Sequence, residues 1–104
     1  MSEWTVVLSA RAEKDLEQIY DYIAAALLEP GTASAQVSRI KNSIKSLSSL
    51  PERCAQIRYE PWRSLRLRYV QIDNYLAVYQ VDKGSKTVSV ITVVYARRDL
   101  PGIL

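Results

Sequence analysis

The stretch LRLRYVQIDNYLAVYQVD, residues 65–82, contains two different strand patterns separated by a turn signal. Its first part alternates between apolar residues and arginines, in the order Leu65, Arg66, Leu67, Arg68 and Tyr69. A period of two predicts a strand with one buried face over SLRLRY, residues 64–69. The second part, YLAVYQV, is almost continuously apolar, which is typical of a central strand covered on both faces. Asp73 and Asn74 between the two parts predict a turn.

Strands are also predicted at both ends of the chain. The segment WTVVL, residues 4–8, is short and rich in β-branched side chains. After the glycine-containing hairpin loop DKGSK, the segment TVSVITVVY, residues 87–95, predicts a final strand. A dense polar cluster follows this strand and consists of Arg97, Arg98 and Asp99.

Two amphipathic helices are predicted between the first strand and residue 51. Ser9 is the candidate N-cap of the first helix, and Pro30 with Gly31 predicts its end. Its apolar residues recur at helical spacing and are Leu16, Ile19, Tyr20, Ile23 and Leu27. Thr32 is the candidate N-cap of the second helix. The apolar stripe of that helix consists of Val37, Ile40, Ile44 and Leu47. The short linker predicts an antiparallel helical hairpin.

The predicted element order is therefore β-α-α-β-β-β, in one domain over residues 1–104. Between the second helix and the second strand, residues 51–63 contain two prolines and no clean period. This segment predicts an ordered loop pinned by Tyr59 and Trp62. The fold class is α+β, with the helical hairpin packed on one face of a mainly antiparallel four-stranded sheet.

Composition excludes several kinds of active site. The chain has 104 residues, with 14 Lys and Arg against 11 Asp and Glu, and a formal net charge of +3. It contains no His, so a Ser-His-Asp triad is excluded, and neither a metal site nor a cofactor is expected. Cys54 is the single cysteine, which fits a reducing cytosol and a small buried apolar side chain. Neither a signal peptide nor a membrane helix is predicted.

The arginines near the strand ends are the candidate functional residues. The surface that we expect them to form carries Arg66, Arg68, Tyr69, Tyr95, Arg97 and Arg98. Guanidinium suits phosphate because its planar fork donates paired hydrogen bonds and stays charged, and tyrosine rings can stack on bases. The alternative is structural. Arg66 and Arg68 would then be the solvent face of an alternating strand, and the other two arginines would mark a strand end.

Four ordered pieces of the chain together resemble the RelE/ParE superfamily of bacterial toxins from type II toxin–antitoxin modules. The pieces are SARAEKDLEQIYDYI, SIKSLSSLP, LRLRYVQIDNYLAVYQVD and VVYARRDL. They cover roughly residues 4–100. The resemblance implies the same β-α-α-β-β-β fold in a protein that arrests bacterial growth, as in plasmid stabilization systems. It also implies neutralisation by a cognate antitoxin in the bacterial cytoplasm.

The resemblance leaves the target open. RelE-like members cut mRNA in the ribosomal A site and place an Arg directly after the tyrosine of the third strand, whereas here Leu76 follows Tyr75. ParE-like members inhibit DNA gyrase without a nuclease site, and the long hairpin favours them. If the chain is a nuclease, its catalytic candidates are Arg66, Arg68, Arg97, Arg98 and Tyr95. A catalytically inert co-repressor and a general RNA-binding module remain as alternatives.

The resemblance also predicts partners. We expect an acidic antitoxin segment that is disordered when free, covers the hairpin and reaches toward the arginines. The candidate antitoxin-binding residues are Ile19, Tyr20, Ile23, Leu27, Val37 and Ile40. The target is expected to be gyrase or the ribosome with its mRNA. Contact with operator DNA is expected only through the antitoxin, and no contact with membranes is expected.

Overall fold

The computed structural model describes residues 4–60 and 62–96. The first half consists of β1 (Thr5–Leu8), α1 (Ala10–Asp21), a π-helical segment (Tyr22–Ala26) and α2 (Pro30–Lys45). Two short helical turns follow at Ser46–Ser48 and Pro51–Arg53. The second half consists of β2 (Arg68–Ile72), β3 (Tyr75–Asp82) and β4 (Thr87–Tyr95). The predicted order of strands and helices is confirmed.

The strands form one mixed sheet in the order β1-β4-β3-β2. The strands β2, β3 and β4 are antiparallel neighbours, whereas β1 runs parallel to β4 at the edge. A parallel pair needs a long crossover connection, and here everything from α1 to β3 lies between the two partners. The predicted α+β fold, a helical hairpin on a mainly antiparallel four-stranded sheet, is confirmed.

The helical hairpin begins as predicted but turns at different residues. Ser9 is the N-cap of α1, because its Oγ accepts a hydrogen bond from the Ala12 N–H at 2.9 Å. After α1 the chain continues through the π-helical segment, and Leu28 then has a φ of 56°. The prediction of Thr32 as an N-cap is wrong, because α2 already begins at Pro30. Proline suits a first helical position since the N–H that it lacks would be unpaired there.

Strand β2 begins later than the alternating pattern predicts. The predicted strand over residues 64–69 is wrong for its first four residues, since β2 begins at Arg68. Arg66 has a left-handed φ of 57°, and its N–H donates to the Arg63 carbonyl at 3.0 Å. That turn interrupts the extended backbone, so Arg66 and Arg68 do not lie on one strand face.

The main core lies between the hairpin and the sheet. Its buried members include Leu16, Ile40, Ile44, Leu47, Val88 and Val90. Both helices contribute to it at the predicted stripe positions, because residues three and four apart share one helix face. This burial is what holds the hairpin on the sheet, since apolar area removed from water contributes about 25 cal/mol per Å².

A second, smaller core covers the opposite face of the sheet. Ile57 and Leu67 pack on Val78, with Trp62 and Tyr69 against them. Alternate residues of a strand point to opposite faces, so the neighbours of Val78 belong to the main core. The prediction that β3 is covered on both faces is therefore confirmed.

Only one of the two aromatic rings expected to pin the loop does so. Trp62 packs against the second core, but the side chain of Tyr59 is 51% exposed. The prediction for Tyr59 is wrong, because this ring lies on the outside of a loop that already buries Ile57. No helix in the described part of the chain is long and apolar enough to cross a membrane.

A bulge in β4 receives a side chain from α1. Val78 pairs with Thr92 but Tyr79 pairs with Val90, so Ile91 is an extra residue. The Asp15 carboxylate accepts hydrogen bonds from the Thr92 hydroxyl and from the N–H of Val93. The carboxylate thus satisfies two hydrogen-bond donors beside the bulge and fixes the position of α1 along the sheet.

Candidate functional site

Arg68 is a structural tie between β2 and the loop that follows α2. Its guanidinium donates to the carbonyls of Glu52 and Cys54 at 3.0 and 2.6 Å. It also lies 3.9 Å from the Glu52 carboxylate, and its side chain is only 17% exposed. The Nη1 group of Arg68 is therefore engaged by two hydrogen bonds inside the protein.

The other predicted site residues lie in separate places. Arg66 is exposed on the turn before β2, whereas Tyr69 packs against the second core. Tyr95 is partly exposed and contacts Tyr75 edge to face, with 5.5 Å between the ring centroids. The remaining members of the predicted cluster, Arg97, Arg98 and Asp99, lie outside the described residues.

The end of the sheet near Tyr75 carries a ring cluster and a neutralised arginine. Burial raises the pKa of the Tyr75 hydroxyl, and the neighbouring Tyr95 and Tyr22 raise it further. Tyr75 therefore stays protonated at neutral pH and can donate a hydrogen bond but not act as a base. The Arg39 Nε donates to the Asp73 carboxylate at 2.7 Å and lowers the pKa of that carboxyl group. Arg39 is thus already paired.

Three arginines meet on the β2 side of the sheet. Arg58, Arg63 and Arg68, together with residues 54–57, line a groove of about 580 Å³, which we call the arginine groove. Residues 51–68 contain five arginines and two glutamates, a net charge of +3 that equals the net charge of the whole chain. The chain's positive excess is therefore concentrated in this segment.

The sequence analysis missed Arg58 and Arg63 as site residues. They lie in an irregular segment without a hydrophobic period, so no pattern indicates which way they point. The density of arginine in residues 51–68 is the signal from which they could have been found. Their meeting with Arg68 depends on an isolated bridge between Gln56 and Arg68, a contact between residues distant in the chain.

The arginine groove is suited to holding an anion rather than to moving a proton. Its described lining contains guanidinium groups and the Cys54 thiol but no carboxylate, and the chain has no His. Guanidinium stays protonated at every physiological pH, so it serves as a fixed cation. Within residues 4–60 and 62–96, no group of three His, Cys, Asp or Glu side chains is placed to hold a metal ion.

A second groove of about 570 Å³ runs along α1 and α2 beside β1, and we call it the hairpin groove. Its apolar lining includes Leu16, Tyr20 and Val37. Its charged lining consists of Glu13, Glu17, Asp21 and Lys41. Three carboxylates against one ammonium group make this groove acidic, the opposite of the arginine groove.

The six candidate antitoxin-binding residues differ in their accessibility. Tyr20 and Leu27 are exposed, Ile19 and Val37 are half-buried, and Ile23 and Ile40 are buried. Ile40 has no exposed surface and belongs to the main core. In this structure, then, Ile19, Tyr20, Leu27 and Val37 keep accessible apolar surface, whereas Ile23 and Ile40 do not.

Known proteins share this fold. The model of the family described as "ParE toxin of type II toxin-antitoxin system, parDE" matches residues 6–100. A solved structure of the chromosomal ParDE system from P. aeruginosa is similar, with a TM-score of 0.75 at 20% identity over 93% of this chain and 100% of that chain. No match was found among curated proteins.

Two solved RelBE complexes are also similar. The toxin–antitoxin complex RelBE2 from Mycobacterium tuberculosis gives a TM-score of 0.60 at 22% identity, over 89% of this chain and 98% of that chain. The intact RelBE complex from E. coli gives a TM-score of 0.61 at 19% identity, over 91% of this chain and 99% of that chain. At such low identity these structures establish the fold and leave the chemistry open.

Proposed function

The chain belongs to the ParE toxin family of type II toxin–antitoxin systems, and we propose that it arrests bacterial growth by inhibiting DNA gyrase. The alternative within the superfamily is ribosome-dependent cleavage of mRNA. The two activities make different demands on the surface. A nuclease must stabilise charge that develops on a scissile phosphate, and pre-organised cations supply that stabilisation. An inhibitor of gyrase needs only a complementary surface.

The observation that carries this proposal is the environment of Leu76. RelE-like nucleases have an arginine at this position, directly after the strand tyrosine. In this chain Leu76 is only 4% exposed and lies in the fully covered part of β3. A buried aliphatic side chain cannot hold a phosphate, and an arginine here would have to be desolvated. The position therefore supports a role without phosphate chemistry.

The remaining candidate residues also favour gyrase inhibition over mRNA cleavage. Arg68 donates to two backbone carbonyls, and Arg66 lies on a turn rather than on the same strand face. Our proposed target-contacting set consists of Arg66, Arg68, Tyr69, Arg97 and Arg98. Under the nuclease alternative, the same arginines and Tyr95 would have to supply catalysis without the missing cation.

We also propose a cognate antitoxin as the partner. The similar RelBE structures are toxin–antitoxin complexes. Here the hairpin groove offers apolar surface at Tyr20 and Val37, with Leu27 exposed nearby on the hairpin. A segment that is disordered when free loses ordering entropy on binding but can cover a large surface. Any contact of the complex with operator DNA would be made through the antitoxin.

Induced expression in a bacterium tests the proposed function. The quantities to follow are a DNA-damage reporter, cell length and the rate of amino-acid incorporation over the first minutes. Inhibition of gyrase predicts induction of the reporter and filamentation while protein synthesis continues. Immediate loss of protein synthesis without damage signalling would support the nuclease instead. Normal growth in a strain that accumulates the folded chain would support an inert co-repressor.

A further inference from the structure

We propose that the outer edge of β1 is a self-association surface, on which a second copy of this chain pairs its own β1 antiparallel across a two-fold axis. This edge lies at the opposite end of the sheet from the arginine groove, and its role is independent of the proposed function. Three observations support the pairing: the open backbone of β1, its lack of charge, and the position of Val7 at the centre of the strand.

The backbone of β1 has hydrogen-bonding groups that face away from the sheet. On the inner side, the Thr5 N–H donates to the Lys86 carbonyl of the neighbouring chain segment at 2.9 Å. Because the backbone groups of successive residues alternate in direction along a strand, those of Val6 and Leu8 point outward. In the part of the chain that the structure describes, β1 is the first strand in the sheet order and no strand lies beyond it. Two N–H and two C=O groups can therefore pair with an incoming strand.

The side chains along this edge are apolar and uncharged. The segment WTVVL, residues 4–8, contains no charged residue. The side chain of Val7 is 43% exposed, and Val6 and Leu8 are only partly buried against the main core. Natural edge strands are commonly protected from pairing by charged side chains, proline or bulges, and β1 contains none of these. An edge without such protection is a template for another strand.

A second β1 fits this edge because the strand is complementary to itself. In antiparallel pairing about a two-fold axis at Val7, Val6 of one copy lies opposite Leu8 of the other, and their outward N–H and C=O groups face each other. The two Val6–Leu8 pairs then form four hydrogen bonds. The two Val7 residues become a pair without hydrogen bonds, in which the Cα atoms lie about 4.5 Å apart and the exposed side chains cover each other. Such an isologous contact closes at two copies.

The distribution of charge favours pairing through β1 over pairing through β2. Residues 51–68, which lead into β2, have a net charge of +3 that equals the net charge of the whole chain. Two copies joined through β1 form a sheet of eight strands, in which the two β2 strands are seven spacings apart, about 34 Å. This separation is several times the screening length of about 8 Å at physiological salt. Joined through β2, the two basic segments would meet and repel each other.

The small size of the contact determines its strength. The strand β1 has four residues, so the interface lies at the low end of the size range and the dimer should be reversible. The competing arrangement places the acidic hairpin groove of one copy against the arginine groove of the next. Such a head-to-tail contact does not stop at two copies, and salt would weaken it. Mass and salt dependence therefore separate the two arrangements.

Sedimentation equilibrium and disulfide cross-linking of the purified full chain test the pairing. Sedimentation is measured at low and at high salt and at concentrations up to about 1 mM, which covers weak association. For cross-linking under a mild oxidant, Val7→Cys is combined with Cys54→Ala, which removes the native thiol. The matched control combines Thr5→Cys with Cys54→Ala and places the new thiol at another exposed position of the same strand.

We expect the mass of the unmodified chain to rise with concentration from 11.8 kDa toward twice that value and no further, without weakening in high salt. Val7→Cys should cross-link at least about tenfold faster than Thr5→Cys. The two Val7 positions lie within disulfide range, whereas the two Thr5 positions are offset by four residues, about 13 Å.

Three results would overturn the pairing: a mass of 11.8 kDa at every concentration, equal cross-linking rates for the two cysteine variants, or masses beyond the dimer that fall as salt is added. Neither gyrase nor growth arrest enters these measurements, so their outcome is separate from that of the proposed function.

Discussion

At the scale of single residues, Tyr79 shows how the loop after α2 is fastened to the sheet. Its side chain has no exposed surface, and its hydroxyl donates to the Pro51 carbonyl at 2.5 Å. Arg68, its neighbour across the strands, holds the Glu52 and Cys54 carbonyls of the same loop. Two side chains of the sheet thus satisfy three carbonyls of one irregular segment.

The variant Tyr79→Phe should therefore lower the free energy of unfolding by about 1–3 kcal/mol. It keeps the ring but leaves the Pro51 carbonyl without its donor, and a buried unpaired acceptor has a cost of this size. Urea denaturation followed by circular dichroism measures it. The control is Tyr59→Phe, at an exposed ring, which should change stability by no more than about 0.5 kcal/mol. Equal stability of the two variants would contradict this account of Tyr79.

The same residue predicts a pH dependence. Burial raises the pKa of the Tyr79 hydroxyl, with a further contribution from the Cys54 side chain. An unfolded tyrosine ionises near pH 10, so above that pH the unfolded state releases a proton that the folded state keeps. The stabilising contribution of Tyr79 is therefore complete below about pH 10 and declines as the pH rises further.

Unfolding free energies of the unmodified chain and of Tyr79→Phe, measured between pH 8 and about pH 11, test this. The difference between the two proteins should be constant up to about pH 10 and then shrink. A difference that stays constant over the whole range would show that Tyr79 ionises equally in both states.

Residue types alone could not assign these roles. The sequence makes Arg68 a candidate phosphate ligand. It could not show otherwise, because an arginine on an alternating strand has the same pattern whether its side chain faces solvent, a ligand or another part of the protein. Its carbonyl partners belong to a segment without periodicity, 14 and 16 residues away in the chain. For Cys54, the sequence predicts a small buried apolar side chain, and the structure places it in a partly buried position.

At the scale of elements, the Asp15 carboxylate joins α1 to the bulge of β4. Asp15→Ala should lower the free energy of unfolding by about 1–3 kcal/mol, because the Val93 N–H and the Thr92 hydroxyl lose their acceptor. The matched control Glu17→Ala removes an exposed carboxylate from the same helix and should have an effect within about 0.5 kcal/mol. A double-mutant cycle that combines Asp15→Ala with Thr92→Val should give a coupling energy of at least about 0.5 kcal/mol. If the two substitutions had additive effects on the free energy of unfolding, the contact between Asp15 and Thr92 would be contradicted.

The hairpin turn contains a second element-scale feature, a leucine in the left-handed conformation. Leu28 has a φ of 56° and is 81% exposed, so it combines backbone strain with unburied apolar surface. Asparagine tolerates this conformation better, and Leu28→Asn should stabilise the chain by about 0.5–1 kcal/mol and raise Tm by a few degrees. The control Leu27→Asn, at a residue with a negative φ, should give no such gain. A lower Tm for Leu28→Asn would contradict the inference that Leu28 strains the backbone.

Element type and order were predictable because the core positions repeat with clear periods. Of the predicted helix positions, Leu16, Ile23, Ile40, Ile44 and Leu47 are buried, whereas Tyr20 and Leu27 are exposed. Element boundaries were less predictable. The start of β2 depends on the turn at Arg66, and the start of α2 depends on Pro30 replacing a side-chain cap. In both places a local backbone choice decides the boundary, and the periodic pattern carries no information about it.

At the scale of the whole molecule, opposite charges lie in two grooves on one small fold. The acidic segment that we expect to cover the hairpin would meet three carboxylates and one ammonium group in the hairpin groove, whereas the arginine groove is lined by three guanidinium groups. Neither groove could be read from the sequence, because each is assembled from residues of separate elements. The net charge of +3 conceals this separation.

The central claim is that this toxin acts on gyrase, and the most direct measurement uses purified components. The full chain is incubated with DNA gyrase and supercoiled plasmid, and in parallel with ribosomes programmed with mRNA. We expect stabilised double-strand breaks in the plasmid and intact mRNA, because Leu76 is buried where a nuclease would hold a cation. Codon-periodic cleavage of the mRNA in the ribosomal A site, with gyrase unaffected, would contradict the account.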